Sequence, residues 1–129
     1  MKNFKRKFAR CFITGITGSG GSYFAEKVHQ KSPKTKIFGS YRSTGYSKIL
    51  KQKIKNLNLI KVDLINFVKL KEVIKKVNPD LIYHFASNAD VRGSFDNPID
   101  FSKNNNSLTL NLLEAARQLK IKPLIVVCS

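Results

Sequence analysis

The sequence feature that most restricts the fold is a glycine-rich segment, TGITGSGG at residues 14–21, which joins two patterns of different period. The apolar run FARCFIT at 8–14 leads into it, as expected of a buried strand. The segment SYFAEKVHQK at 22–31 follows it and places its apolar residues on one helical face. The glycines stand at intervals of three, at Gly15, Gly18 and Gly21. A strand, a tight glycine turn and a helix are therefore predicted in direct succession.

The rest of the chain continues this alternation. Short apolar runs predict further strands at 36–42, 57–64, 80–87 and 122–129. Helical periodicity predicts helices at 47–56, at 66–77 and, after a polar loop, from Pro98 onward, with Asn97 as the N-cap. Alternating strands and helices pack as a parallel sheet with right-handed crossovers. The length of 129 residues suits a single α/β domain over 1–129.

The glycine turn has the context of a phosphate-binding loop. The first N–H groups of a helix have no intrahelical partner and carry a partial positive charge, which attracts phosphate. Glycines at such a turn let the backbone approach a pyrophosphate closely. We therefore predict that Gly15, Gly18 and Gly21 bind a dinucleotide. The alternative is a glycine turn with a purely structural role.

The end of the second predicted strand indicates which dinucleotide is bound. NAD binding uses an acidic residue about 20 residues after the loop, but KTKIFGSYRS at 34–43 contains none. It offers Arg42, whose guanidinium suits a phosphate. NADP is therefore the predicted cofactor, with Arg42 on its 2′-phosphate, and the alternative is an exposed arginine in a basic protein. Asp63, at the end of the third predicted strand, is either an acceptor for the adenine amine or a helix cap.

The net charge of +16 is the most unusual property of the composition. Such a charge can indicate a nucleic acid, an anionic membrane or an anionic substrate. The lysines are scattered over every predicted element, and only the start of the chain, MKNFKRKFAR, is dense. A nucleic-acid footprint is localised. We therefore expect a solvated basic surface and no nucleic-acid partner.

Cysteine usage and hydropathy indicate the compartment. Cys11 and Cys128 fall in predicted buried strands, which suits small apolar residues in a reducing environment. No apolar stretch reaches the length of a membrane span, and the basic N-terminus precedes too short an apolar run for a secretion signal. We expect a cytoplasmic chain without a membrane partner. His84 is predicted in the core and His29 on the surface, and neither has partners at metal-ligand spacing.

Three segments carry a resemblance to a known family. TGITGSGGSYFAE at 14–26 resembles the opening of the extended short-chain dehydrogenase/reductases, whose signature is TGxxGxxG, and among them the GDP-mannose 4,6-dehydratases. IYHFASNADVRGSFDNP at 82–98 and NNNSLTLNLLEAAR at 104–117 resemble later segments of the same family. The resemblance implies a Rossmann-type doubly wound sheet of five parallel strands in the order 3-2-1-4-5. It also implies an NADP cofactor, a nucleotide-sugar substrate, with GDP-mannose expected, and a homo-oligomer.

The resemblance further implies which residues contact the cofactor. The loop residues would hold the pyrophosphate, Asp63 and Leu64 would lie near the adenine, and residues 85–87 would lie along the cofactor. Two positions depart from the family: Ser43 replaces the second of two paired arginines, and Leu108 replaces a glycine. The complete expected set is Gly15, Thr17, Gly18, Ser19, Gly20, Gly21, Arg42, Asp63, Leu64, Phe85, Ala86 and Ser87.

The family reaction oxidises C4 of the hexose by hydride transfer to the nicotinamide, eliminates water across C5–C6 and returns the hydride to C6. Its Ser/Thr, Tyr, Lys and carboxylate follow the fifth strand, so we expect them after Ser129. The chain would then stop before the catalytic and substrate-binding part and would be inactive alone. Tyr23 and Lys27 form a YxxxK pair, but they lie on the helix after the glycine loop and are not expected to be catalytic.

Two alternatives stay open at this point. One is a different extended family member, such as a nucleotide-sugar epimerase or a reductase of 4-keto sugars. The other is a non-catalytic module on the same fold, either a cofactor sensor or a basic nucleic-acid binder.

Overall fold

The computed structural model describes residues 7–43, 45–87 and 91–128. It contains an all-parallel sheet of five strands: β1 (Arg10–Thr14), β2 (Lys36–Tyr41), β3 (Asn58–Lys61), β4 (Leu81–His84) and β5 (Leu124–Val127). The strand order is β3-β2-β1-β4-β5, which confirms the predicted Rossmann-type sheet. This order reverses direction between β1 and β4, and α/β proteins bind ligands in the crevice at such a reversal.

Within the described ranges, five helices connect the strands: α1 (Ser19–Lys31), α2 (Ser47–Lys53), α3 (Phe67–Val77), α4 (Val91–Asp96) and α5 (Pro98–Gln118). Asn97 caps α5 as predicted, since its side chain accepts a hydrogen bond from the Asp100 nitrogen. The prediction of an uninterrupted polar loop before Asn97 was wrong, because α4 occupies part of it. Six residues are too few for a periodic pattern to stand out from a polar sequence.

Helix α1 begins three residues earlier than predicted. The sequence places Gly20 and Gly21 in the turn because glycine is a weak helix former. In the structure both belong to the first turn of α1, and the N-cap is Gly18. The loop between β1 and α1 is therefore only four residues long, which brings the start of the helix directly over the end of the strand.

The core lies on both faces of the sheet, as the alternation of side chains along a strand requires. Phe12 of β1 packs with α3 and α5, where Ile74 and Leu112 are fully buried. Its neighbours Cys11 and Ile13 point to the opposite face and pack against α1 and α2. Burial on both faces explains why the strand sequences read as continuous apolar runs.

Strands β3 and β4 are shorter than predicted, and this places candidate site residues in loops. β3 ends at Lys61, opposite Tyr41 of β2, rather than at 64. β4 ends at His84 rather than at 87. The chain turns away where the partner strand ends, so Asp63 and the segment 85–87 follow their strands and lie above the sheet edge.

Strand β5 covers 124–127 rather than the predicted 122–129, and it pairs with β4. Its end residues are half exposed, with 44% for Leu124 and 51% for Val127. The prediction that both cysteines lie in buried strands holds for Cys11 but was wrong for Cys128, which follows β5 and is only partly buried. Both thiols are free, and burial, aided by the charge of Asp80, raises the pKa of Cys11 to about 12.

Candidate functional site

A cleft of about 220 Å³ lies at the carboxyl ends of the strands, where β1 separates from β4. It is bounded by the loops after β1, β2, β3 and β4 and by one side of α5. Eight of the predicted cofactor residues line it: Gly15, Thr17, Gly18, Arg42, Leu64, Phe85, Ala86 and Ser87. The lining also contains Ser40, Tyr41, Ser43, Val62 and Leu108, which sequence reasoning did not assign to the cofactor. The cleft therefore collects residues from five separate segments of the chain.

Gly15 forms the tight turn at the base of the cleft, and Gly21 packs against this turn from the first turn of α1. Gly15 has a φ of +65°, a conformation that L side chains rarely adopt. A Cβ on Gly15 would lie 2.8 Å from the Ala86 nitrogen. A Cβ on Gly21 would overlap the Gly15 carbonyl oxygen and lie 2.8 Å from the Ile16 Cα. Both glycines are thus required by backbone-to-backbone contact within the protein.

Gly18 occupies a different position, because it faces the cleft. Its nitrogen donates to the Gly15 carbonyl at 3.0 Å, and its own carbonyl accepts from Ser22 at 2.9 Å. Its φ of −74° is accessible to any residue, and it is exposed. No side chain in the described part of the chain caps α1 at this end. The first N–H groups of α1 therefore lie at an accessible surface that carries no side chain. A helix start of this kind attracts phosphate.

The end of β2 supplies the charge of the cleft. Arg42 carries the one ionic side chain among the described residues that line it, and it is exposed to solvent. The loop and β2 are tied together by a hydrogen bond from the Ile16 nitrogen to the Ser40 carbonyl, 3.1 Å long. A negatively charged group bound in this cleft would meet one guanidinium and no carboxylate within the described lining.

The opposite wall of the cleft is apolar and consists of Val62, Leu64 and Leu108, all buried. Leu108 projects from α5 to this wall, at the position where the family sequence has glycine. Asn111, one turn further along α5, donates to the Leu64 carbonyl at 2.9 Å. This bond fixes the loop after β3, so the apolar wall is held by α5 from behind.

Asp63 does not line the cleft. Its carboxylate accepts a hydrogen bond from the Ile65 nitrogen at 3.1 Å, and its carbonyl accepts from Asn66 at 3.0 Å. This bond lies in the turn that leads into α3 and is not the helix cap that the sequence left open, while the adenine contact stays a prediction. The N-cap of α3 itself is Asn66. Ser19, Gly20 and Gly21 also lie outside the lining, in the first turn of α1.

The wall formed by residues 85–87 is held by hydrogen bonds to β1. The Phe85 nitrogen donates to the Thr14 carbonyl, and the Ala86 nitrogen donates to the Thr14 hydroxyl, both at 3.2 Å. The Thr14 hydroxyl also contacts Nδ1 of His84 at 2.7 Å. His84 is buried as predicted, with both ring nitrogens hydrogen-bonded, and burial lowers its pKa. The ring is therefore neutral at physiological pH.

The remaining candidates lie away from the cleft. Tyr23 is exposed on α1, and the Lys27 ammonium lies 5.3 Å from the centre of its ring, so this pair interacts on the surface. Ser129 lies outside the described residues. No cluster of three or more His, Cys, Asp or Glu side chains suited to a metal occurs within 7–43, 45–87 and 91–128. Over the same ranges, no helix combines the length and apolar character needed to cross a bilayer.

Comparison with known sequences gives a family match over almost the whole chain. A family model described as GDP-mannose 4,6 dehydratase matches residues 12–129. GDP-mannose 4,6-dehydratase of Vibrio cholerae is 32% identical over 115 residues, which cover 83% of this chain and 31% of that protein. UDP-glucose 4-epimerase of Mycoplasma genitalium is 33% identical over 117 residues, which cover 89% and 34%.

Comparison with solved structures supports the same fold. UDP-glucose 4-epimerase from Bifidobacterium longum, determined in complex with NAD+ and UDP, superposes with a TM-score of 0.80 at 21% identity. The match covers 92% of this chain and 36% of that one. The chain thus spans about a third of the length of the relatives that it matches.

Proposed function

Because the chain belongs to the GDP-mannose 4,6-dehydratase family of extended short-chain dehydrogenase/reductases, we propose that its cleft binds NADP for an enzyme that acts on a nucleotide sugar. The observation that carries the proposal is the presence of two anion-binding features in one cleft. These are the uncapped glycine start of α1 and the guanidinium of Arg42. A dinucleotide with a 2′-phosphate carries negative charge at both places.

The residues present fit such a cofactor. The backbone at Gly18 would approach the pyrophosphate, which needs a surface without a side chain. Arg42 would bind the 2′-phosphate with charge-assisted hydrogen bonds. The apolar wall of Val62, Leu64 and Leu108 offers a dry surface for the adenine ring. When bound, the nicotinamide supplies a hydride acceptor for the oxidation of a sugar carbon.

The described part of the cleft would bind and orient the cofactor. It does not offer a full set of groups for proton transfer. Tyr41 is the one phenol in the described lining, and no lysine accompanies it there. The Ser/Thr, Tyr and Lys that the family places after the fifth strand stay a prediction for the chain after Ser129. The proposed contribution of residues 1–129 is therefore cofactor binding.

The cofactor preference is tested by Arg42→Ala. We expect NADPH to bind the natural chain more tightly than NADH, because a charge-assisted hydrogen bond contributes about 1.5–3 kcal/mol, or roughly tenfold or more in affinity. Arg42→Ala should remove this preference while leaving NADH binding within about twofold. Titration calorimetry or the fluorescence of the reduced nicotinamide measures both dissociation constants.

Lys61→Ala is the matched control for Arg42→Ala. Lys61 is exposed at the end of β3, opposite Tyr41, and is not part of the cleft lining. It removes the same charge from the same region, so the NADPH preference should persist. Equal binding of NADPH and NADH by the natural chain would contradict the NADP assignment. A preference that survives Arg42→Ala would contradict the role of Arg42.

For the substrate, we propose GDP-mannose, converted to GDP-4-keto-6-deoxymannose, because the family model carries that description. A nucleotide-sugar 4-epimerase is the second candidate, because relatives of similar identity are named UDP-glucose 4-epimerase. The protein as its cell produces it should be incubated with NADP and each nucleotide sugar separately. A 4-keto-6-deoxy product from GDP-mannose alone supports the dehydratase, whereas a 4-epimer of UDP-glucose supports the epimerase.

A further inference from the structure

A line of hydrogen bonds runs from α5 through the sheet to the wall of the cleft. Thr109 Oγ1 lies 3.1 Å from Nε2 of His84. Nδ1 of the same ring lies 2.7 Å from Thr14 Oγ1, which accepts from the Ala86 nitrogen at 3.2 Å. The two partners of each bond are 25 to 72 positions apart in sequence. Tertiary structure alone brings them together.

The direction of these bonds follows from the donors available. The Ala86 N–H can only donate, so the Thr14 oxygen accepts there and has one hydrogen left to give. Within the described residues, the acceptor in contact with the Thr14 hydroxyl is Nδ1 of His84. The ring is neutral, so Nδ1 is the acceptor and Nε2 carries the hydrogen. Nε2–H then donates to Thr109 Oγ1, and all the bonds point from the cleft toward α5.

The end of this line is in contact with the phosphate loop. Ala86 and Gly15 approach so closely that a Cβ on Gly15 would lie 2.8 Å from the Ala86 nitrogen. A displacement of Ala86 therefore displaces the loop, because closely packed backbone cannot absorb it. Thr14 holds Ala86 only while its hydroxyl is oriented, and the hydroxyl is oriented by the tautomer of His84.

We propose that His84, held as its Nε2–H tautomer by Thr109, is a positioning residue for dinucleotide binding. This proposal rests on the proposed function of the cleft. Loss of the Thr109 oxygen leaves the buried Nε2–H without an acceptor, so the proton moves to Nδ1. Nδ1–H then donates to the Thr14 oxygen, whose own hydrogen loses its acceptor among the described residues. The hydroxyl reorients to find another acceptor, and the wall formed by residues 85–87 loses its fixed position. Buried hydrogen bonds that are connected in series strengthen one another. Loss of the bond at α5 therefore weakens the bond that holds Ala86.

The test uses Thr109→Val, which keeps the side-chain volume and removes the oxygen, and Thr109→Ser, which keeps the oxygen. Nitrogen-15 NMR of the imidazole reports the tautomer of His84 without any ligand. NADPH titration, corrected for the folded fraction, reports binding. We expect Thr109→Val to lose the Nε2–H signature and to raise the NADPH dissociation constant about tenfold. Thr109→Ser should keep both values close to those of the natural chain.

Asp80→Asn separates positioning from general loss of stability. Asp80 accepts hydrogen bonds from the Ala9 and Arg10 nitrogens at 2.8 and 3.0 Å. These bonds lie at the amino ends of the strands, whereas the cleft lies at their carboxyl ends. This variant should lower the unfolding temperature without changing the dissociation constant by more than about twofold. If the natural chain and Thr109→Val bind NADPH equally, the positioning role is refuted and the proposed function stands. If the natural chain binds no NADPH, the proposed function fails and the positioning role fails with it.

Discussion

Gly18→Val should fold and lose NADPH binding, whereas Gly21→Val should not fold at all. The two glycines are three residues apart in one motif, but their surroundings differ. A Cβ on Gly21 would overlap main-chain atoms of Gly15 and Ile16, which cannot move without separating α1 from the loop. A Cβ on Gly18 lies 3.3 Å from one carbonyl oxygen and otherwise faces the open cleft. Circular dichroism during thermal unfolding distinguishes the two outcomes.

The size of the binding effect is set by linkage. A ligand present at 100 times its dissociation constant stabilises the folded state by about 2.7 kcal/mol. Gly18→Val should lose this increment, since a branched side chain would stand where the pyrophosphate approaches the backbone. Its stability without ligand should stay within about 1–2 kcal/mol, the usual cost of a poor N-cap.

Gly45→Val is the matched control for Gly18→Val. A Cβ on Gly45 meets no atom of the described residues within 4 Å, and Gly45 is not part of the described cleft lining. This variant should keep the full NADPH increment. An unchanged increment in Gly18→Val would contradict the phosphate role of the loop. If Gly21→Val unfolded cooperatively at the same temperature as the natural chain, the packing argument would be contradicted.

Gly39→Ala should destabilise the fold by about 1–3 kcal/mol, although alanine is a small residue. Gly39 lies in β2 below the glycine loop, and the space beside it is filled by the fully buried Ile16. A Cβ on Gly39 would lie 2.6 Å from Cγ2 of Ile16 and 2.8 Å from its Cβ. Ile16→Ala alone should cost about 2–5 kcal/mol, because it opens a cavity in the core.

The double variant of Gly39 and Ile16 measures the contact itself. Because the shortened side chain makes room for the new methyl group, the two changes should cost at least about 1 kcal/mol less together than their separate costs added. Chemical denaturation of all four proteins gives the coupling energy. Gly45→Ala combined with Ile16→Ala should be additive, since Gly45 has open space around it. Additive costs for Gly39 and Ile16 would show that this contact does not constrain the loop.

The sequence was sufficient to predict the parts of this fold that depend on local pattern. The apolar runs predicted five strands, and the Asn97–Pro98 pair predicted the start of α5. Both signals are physical requirements of short range: burial on two faces, and a partner for the first helical N–H groups. The strand order came from the family resemblance, because no local pattern specifies which strands are neighbours.

The parts that the sequence did not reveal depend on contacts between residues that are far apart in the chain. Leu108 lines the cleft because α5 passes behind β4, and its position was visible only as a departure from the family motif. The link from Thr14 through His84 to Thr109 joins three elements. One sequence signal pointed to it. Thr14 ends the first predicted strand and His84 lies within the fourth, and these two strands were expected to be neighbours in a Rossmann sheet. A buried histidine there needs two partners.

The assignment of Asp63 shows a different limit. From sequence alone, an acidic residue after the third strand suits an adenine contact and a helix cap equally well. Here the carboxylate bonds to the Ile65 nitrogen two residues later. Aspartate side chains in turns commonly form such short-range hydrogen bonds to the backbone. A motif match cannot separate a ligand contact from such a turn.

Within the described residues β5 lies at the margin of the sheet, and this position affects how residues 1–129 alone behave at high concentration. An outermost strand offers a row of backbone donors and acceptors on which a second chain can pair, and the half-exposed Leu124 and Val127 make that row apolar. The net charge of +16 opposes such self-association by mutual repulsion. This repulsion weakens as the Debye length falls from about 10 Å at 0.1 M salt to about 3 Å at 1 M. Concentrated stocks of this chain should therefore be kept at low ionic strength.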